Sequence, residues 1–372
     1  MLVRNTTLTL AALLLLTSCA AAPPIDSRPH GYVEGAAELA EPQLHLAAVS
    51  AAGDLTLIDL LDESSETIAE VDAATEVTTD GRYVFAASAT GVTIVDSGVW
   101  TVDHEDHFHY YRATPRVVAT IEGGDGAVVS SGTLATSIFF PESGEAVLLD
   151  SAALGTGSIE ELARIPGEAH DGLAIVHGET VLVTTGSAVR AFDLDGAALD
   201  HSARCTDPSG SITTRVGAVI GCAEGALLYT DDFELIPYPT TATRALTFDN
   251  RSGRPTVAAV SGDTGYWMLD TRNRTWTHFA SPALLQVAAV DDREGHVVAL
   301  AADGRVLVFD AAGTQLAATE PLSTNGRLTV DASRAYLNAP EAGVVFEIDY
   351  ADGARIARDF QVDAAFLVET GR

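Results

Sequence analysis

A chain of 372 residues, 47% of them hydrophobic, has the apolar content for one large core or two ordinary ones, and 21 Lys+Arg against 52 Asp+Glu give it a net charge of −31. That charge repels phosphate backbones and anionic headgroups, which argues against a nucleic-acid partner, and it enriches divalent cations near the surface. Acidity alone does not indicate a metal site, because dispersed carboxylates equally serve solubility.

The first 18 residues read as an export signal. Arg4 supplies a short positive region, Leu8 to Leu16 an apolar run too short to span a bilayer, and Leu16-Thr17-Ser18-Cys19 matches a bacterial lipobox. The expectation is a lipid on Cys19 that anchors an extracytoplasmic protein to the membrane. Residues 19–42, rich in Ala, Pro and Glu and without a periodic apolar face, read as a flexible tether.

From residue 43 to 372 short Val/Ile/Leu/Ala/Thr runs alternate with Gly, Asp, Asn and Ser turns, the pattern of an all-β chain. Eight of these runs close on an aspartate: Asp59, Asp96, Asp150, Asp193, Asp231, Asp270, Asp310 and Asp349. Their spacings are 37, 54, 43, 38, 39, 40 and 39 residues. A period near forty predicts an eight-bladed β-propeller of four-stranded blades, since each small sheet buries its faces only against its neighbours. The first unit lacks an inner strand, and Ala364 to Val368 is a surplus run at the other end, so the C-terminal strand is expected to close the ring.

The 54-residue interval holds the surplus, between the third and fourth strands of the second unit. It contains Asp103-His104-Glu105-Asp106-His107-Phe108-His109-Tyr110-Tyr111, with three of the chain's ten histidines inside six residues. His107 and His109, two apart in extended backbone, point to one side, and a turn at Glu105-Asp106 returns His104 to the same point. Three neutral imidazoles suit zinc, although copper(II) or nickel also bind such a set. The carboxylates of Asp103, Glu105 and Asp106 are placed to ligate or to orient the rings.

His170 opens the inner strand of the fourth unit and is a further candidate ligand, but in simple propeller topology its loop lies on the face opposite the histidine stretch. His177 is on the correct face and has no partner nearby in sequence; His45, His201, His278 and His296 stand alone in strands or turns. Cys205 and Cys222, 17 apart near the ends of adjacent strands, suit a disulfide in an oxidising compartment. The chain has no Gly-rich phosphate loop, no G-x-S-x-G elbow and no H-E-x-x-H helix, so no catalytic residue is assigned and a carrier is expected rather than an enzyme. A binding module for a protein or glycan, and a metal-dependent hydrolase or lactonase, are the alternatives.

Val99 to Tyr111, followed by the Pro-Gly-x-x-His element at Pro166 to His170, resembles the AztD family of extracytoplasmic zinc metallochaperones. The resemblance implies zinc ligation by His104, His107 and His109, with His170 as a further ligand, in a monomeric propeller. It also implies a partner, the solute-binding protein of a zinc ABC transporter, to which the metal is passed.

Overall fold

The computed structural model describes residues 31–103, 107–239 and 243–372. Among these the structure is almost entirely antiparallel β, with one short helix, Ser151–Thr156, and one 3-10 turn, Gly262–Thr264. No helix of the described residues is long and apolar enough to cross a membrane.

The first ten strands are β1 (Ala37–Leu39), β2 (His45–Val49), β3 (Asp54–Asp59), β4 (Ser65–Glu70), β5 (Ala74–Thr79), β6 (Tyr83–Ser88), β7 (Gly91–Asp96), β8 (Val99–Asp103), β9 (Phe108–Arg112) and β10 (Arg116–Glu122). Among the described residues the strands form eight four-stranded sheets and one three-stranded sheet. The architecture is propeller-like. The first four-stranded sheet is β2, β3 and β4 with the C-terminal strand Phe366–Thr370, which pairs with β2 from Val49↔Phe366 to His45↔Thr370. The surplus run at the C-terminus thus supplies the inner strand that the first unit lacks.

Each consecutive pair of sheets encloses an apolar cluster. Tyr83, Phe85 and Ile94 of the second sheet meet Ile138 and Phe140 of the third. Ala47, Leu55 and Leu57 of the first meet Val77 and Val84 of the second. Leu46 and Ile58 of the first meet Tyr336, Val345 and Phe360 of the last. Middle strands buried on both faces therefore read as nearly continuous apolar runs. Each large side chain so buried contributes about 1.5–3 kcal/mol.

The repeated aspartate has a structural cause. It ends or directly follows the third strand of its sheet and its carboxylate caps the turn that leaves that strand: Asp59 Oδ1 accepts from Leu61 N (2.8 Å), Asp96 from Gly98 N (3.0 Å), Asp193 from Ala197 N (2.7 Å) and Asp310 from Ala312 N (2.9 Å). At the fifth unit the strand stops at Tyr229, and it is Asp232 that accepts from Phe233 N (2.8 Å).

The described residues of the interval between β7 and β10 include the antiparallel pair β8–β9, in register from Val99↔Arg112 to Asp103↔Phe108. One expectation is revised: the segment of residues 19–42 is not wholly a tether outside the fold, because β1 pairs with β9 from Ala37↔Arg112 to Leu39↔Tyr110. Composition hid this: Ala37-Glu38-Leu39 is too short to show a period, and its partner lies some seventy residues away. The disulfide is formed as expected, Cys205 to Cys222, between buried sulfurs of the fourth and fifth sheets.

Candidate metal centre

The hairpin leaves the second sheet through Gly98, whose φ of 77° favours glycine and where a Cβ would lie 2.4 Å from Ala113 O. Ala113 N donates to Gly98 O at 2.7 Å and closes the base. Arg82 braces this base: its Nε and Nη2 donate to Asp96 at 3.1 and 2.7 Å, and its guanidinium lies 3.8 Å from the centre of the Trp100 ring.

The two-residue period gives the hairpin two chemically different faces. The pairs Trp100↔Tyr111 and Val102↔His109 share one face, and Glu38 joins them because it registers with Tyr111. The pairs Thr101↔Tyr110 and Asp103↔Phe108 share the other. On the first face the rings stack in a column, Trp100 on Tyr111 at 5.2 Å and Tyr111 on His109 at 6.2 Å, and Tyr111 is completely buried. The column fixes the His109 ring plane.

At its top, His107 and His109 bring their Nε2 atoms to 3.0 Å, with ring planes at 74°. On the far side of His109, Nδ1 lies 2.6 Å from Glu38 Oε1. A neutral His109 that donates Nδ1–H to Glu38 leaves its lone pair on Nε2, facing His107. A metal-ligating histidine needs this arrangement, with the second nitrogen held by a carboxylate and the first free to donate electrons. Two nitrogens bound to one tetrahedral zinc at about 2.0–2.1 Å stand roughly 3.3 Å apart, close to what the pair already presents.

His104 and Asp106, the other expected ligands of the stretch, lie outside the described residues, as does Cys19. Glu38 is the functional residue that sequence reasoning missed, because only the β1–β9 pairing brings it to His109. His170 is placed apart from the pair: Nδ1 is 2.7 Å from Glu168 O, Nε2 is 3.0 Å from Thr184 Oγ1, and the ring packs edge-on against Phe139. Among the described residues it joins no cluster of metal-ligating groups. Of the other described histidines, His45 and His177 lie at strand ends and His201 and His278 within strands. His45 lies 3.4 Å from Asp59, and its burial pushes the imidazole below its ordinary range. His278 meets Ser261 Oγ at 3.1 Å, and His201 meets Asp232 at 3.1 Å.

One further group can hold an ion. Asp292, Glu294 and His296 lie in the connection between strands Leu284–Ala289 and Val297–Ala301, with ligand atoms within 4.8 Å of one another. His296 Nδ1 is 2.6 Å from Asp292 Oδ2, and its backbone N donates to Oδ1 at 2.9 Å. Burial opposes ionisation of Asp292, yet these hydrogen bonds outweigh it and hold the carboxyl below its ordinary range. The alternation Asp-x-Glu-x-His from Asp292 to His296 is the sequence signal for this group, and it shows that His296 does not stand alone.

Among solved structures, two of AztD from Citrobacter koseri, one of them apo, superpose with a TM-score of 0.78. Their identity is 17% and 16%, and the match covers 89% of this chain and 99% of theirs. The fold is AztD-like. The dihydro-heme d1 dehydrogenase NirN matches less well, with a TM-score of 0.60 at 13% identity over 93% of this chain and 77% of NirN. No family model matches the chain, and no curated protein does. At these identities the likeness to AztD concerns the fold alone.

Proposed function

We propose that this protein is an extracytoplasmic zinc metallochaperone. In this reading an eight-bladed propeller, its ring closed by the C-terminal strand, presents the histidine hairpin, which holds Zn(II) and hands it to the solute-binding protein of a zinc ABC transporter. The observation that carries the reading is the His107–His109 pair, Nε2 to Nε2 at 3.0 Å, with Glu38 holding the opposite nitrogen of His109. The AztD-like fold and the resemblance of the hairpin sequence to that family support it.

His107 and His109 supply two ligands, and His104 and Asp106 are assigned as the others. Glu38 and the Tyr111–Trp100 column orient His109, so little ordering entropy is spent on binding. His107 is exposed and Asp103 adjoins the tip, so an incoming ligand can replace the hairpin's donors one at a time. A surface site of this kind exchanges metal with another protein, which a buried one would not. A lipid on Cys19 would confine that exchange to the membrane surface, and no catalytic residue is needed.

The test is a competition titration of the metal-free full chain with zinc against a chromophoric chelator. The expected result is sub-micromolar zinc binding by the wild type. In H107A/H109A the loss should exceed the roughly 10–100-fold produced by removing an outer partner, with an unchanged thermal melt. Equal zinc affinity in the folded variant would refute the assignment.

A further inference from the structure

We propose that the cleft on the other face of the hairpin binds a small multivalent oxyanion, gripped by Arg215, Arg251 and Arg254. The cleft encloses about 560 Å³ and is lined by Thr101, Asp103, Phe108 and Tyr110 of the hairpin and by the three arginines. It is separate from the His107–His109 pair, since the two-residue period directs those two side chains to the opposite face of the hairpin.

The arginines come from connections in two different sheets, and Arg215 and Arg251 are held in place before any ligand arrives. Arg215 lies between strands Ser211–Thr213 and Ala218–Cys222, Arg251 and Arg254 between Leu246–Asp249 and Thr256–Val260. A β-bridge from Thr214 to Gly253 joins the two connections, and another from Asn250 to Ala289 ties the second to the next sheet. Arg215 Nε donates to Gly253 O at 3.0 Å, and Arg251 Nε to Val290 O at 3.0 Å. These bonds go to carbonyls, so they orient the guanidinium groups without pairing them with a carboxylate.

In a chain with 52 acidic residues that pattern needs a reason. Among the described residues none of the three makes an ion pair, and the Arg254 side chain makes no hydrogen bond. Burial first, then the neighbouring charges of Arg251 and Arg215, push Arg254 below its ordinary range against an opposing pull from Asp291. Three of the four acids that line the cleft are engaged by neighbouring groups, and the fourth, Asp103, belongs to the hairpin. Asp80 accepts from Arg82 N, Tyr83 N and Ser131 Oγ; Asp331 accepts from Ser333 N, Arg334 N and Tyr336 Oη. Glu369 is buried 3.6 Å from Arg372.

Guanidinium forks lining one cleft match carboxylate and phosphate oxygens two at a time. The stacked Phe108 and Tyr110 rings, 6.4 Å apart, offer an apolar lid for the carbon skeleton of such a ligand. The volume fits a small molecule, and the net charge of −31 keeps nucleic acid away.

The experiment is calorimetric titration of the full chain, freed of metal and of chelator, with citrate and separately with inorganic phosphate. Saturable binding of at least one is expected, weakening as salt is added. Tighter binding of citrate assigns a carboxylate ligand, and tighter binding of phosphate a phosphate. In R254Q, whose side chain has no structural bond to lose, affinity should fall about tenfold, and further in R215Q/R254Q. H107A/H109A should bind the anion as the wild type does, so failure of the zinc reading and failure of this one are separable. Absence of saturation with both anions, wild-type affinity in R215Q/R254Q, or loss of binding in H107A/H109A would each overturn the proposal.

Discussion

Replacing Glu38 isolates the contribution of a residue that touches no metal in this scheme yet sets the ligand's tautomer. Its Oε1 lies 2.6 Å from His109 Nδ1, while its side chain is 41% exposed and that of His109 17%. A hydrogen bond to a charged group is worth about 1.5–3 kcal/mol when well shielded. Partial exposure of Glu38 brings this to about 1 kcal/mol, roughly a fivefold change in affinity. E38A should therefore weaken zinc binding by about fivefold, just below the usual range for outer partners of metal-bound histidines. E38Q, which keeps an acceptor oxygen without the charge, should fall between E38A and the wild type. The assay is chelator competition on the full chain, with far-UV circular dichroism to verify that β1 still pairs. Wild-type affinity in a folded E38A would refute the tautomer argument. A loss as large as that of H107A/H109A would refute it differently, by making Glu38 a ligand.

Other consequences are as direct. R82K keeps the charge beside Asp96 but loses the two-pronged bond and the stack on Trp100, so the hairpin base should loosen and zinc affinity fall with no ligand altered. Hydrogen exchange at the amides of β8 and β9 should rise, and unchanged exchange would remove Arg82 from the account. Glu369 is buried, and desolvation, partly offset by Arg372, raises its carboxyl from 4.5 to about 8. The folded chain therefore holds a proton that the unfolded chain releases, and this group's contribution to stability is present below about pH 4.5 and lost as pH rises towards 8. E369Q should raise Tm at pH 8 relative to the wild type and flatten the decline between pH 5 and 8, each read by thermal melts; parallel profiles would contradict the argument. Cys205 and Cys222 close a loop with a separation of 17, so C205S/C222S should lose about 3 kcal/mol in denaturant unfolding while zinc affinity is kept. A fall in zinc affinity would mean that the fourth and fifth sheets help to hold the hairpin.

The strand-plus-aspartate repeat was legible because it is a local necessity: each third strand ends in a turn whose amides need an acceptor, and Asp59, Asp96, Asp193 and Asp310 provide it. The position of the histidine stretch followed from that repeat, as a surplus between a third and a fourth strand. The convergence of His107 and His109 was legible too, since residues two apart on a strand face one side whatever the strand pairs with. The disulfide followed from two cysteines near the ends of adjacent strands.

Pairings between distant segments were not legible. Glu38 meets His109 across 71 residues through a three-residue strand whose composition resembles a linker, and no local pattern announces such a partner. Arg215, Arg251 and Arg254 look like scattered surface cations until two connections from neighbouring sheets are bridged edge to edge. Local chemistry along the chain thus determined the repeat, its interruption and the two imidazoles that face each other. Tertiary structure alone decided which carboxylate orients them and where positive charge collects, because both depend on register and sheet order, which emerge only when remote strands pack.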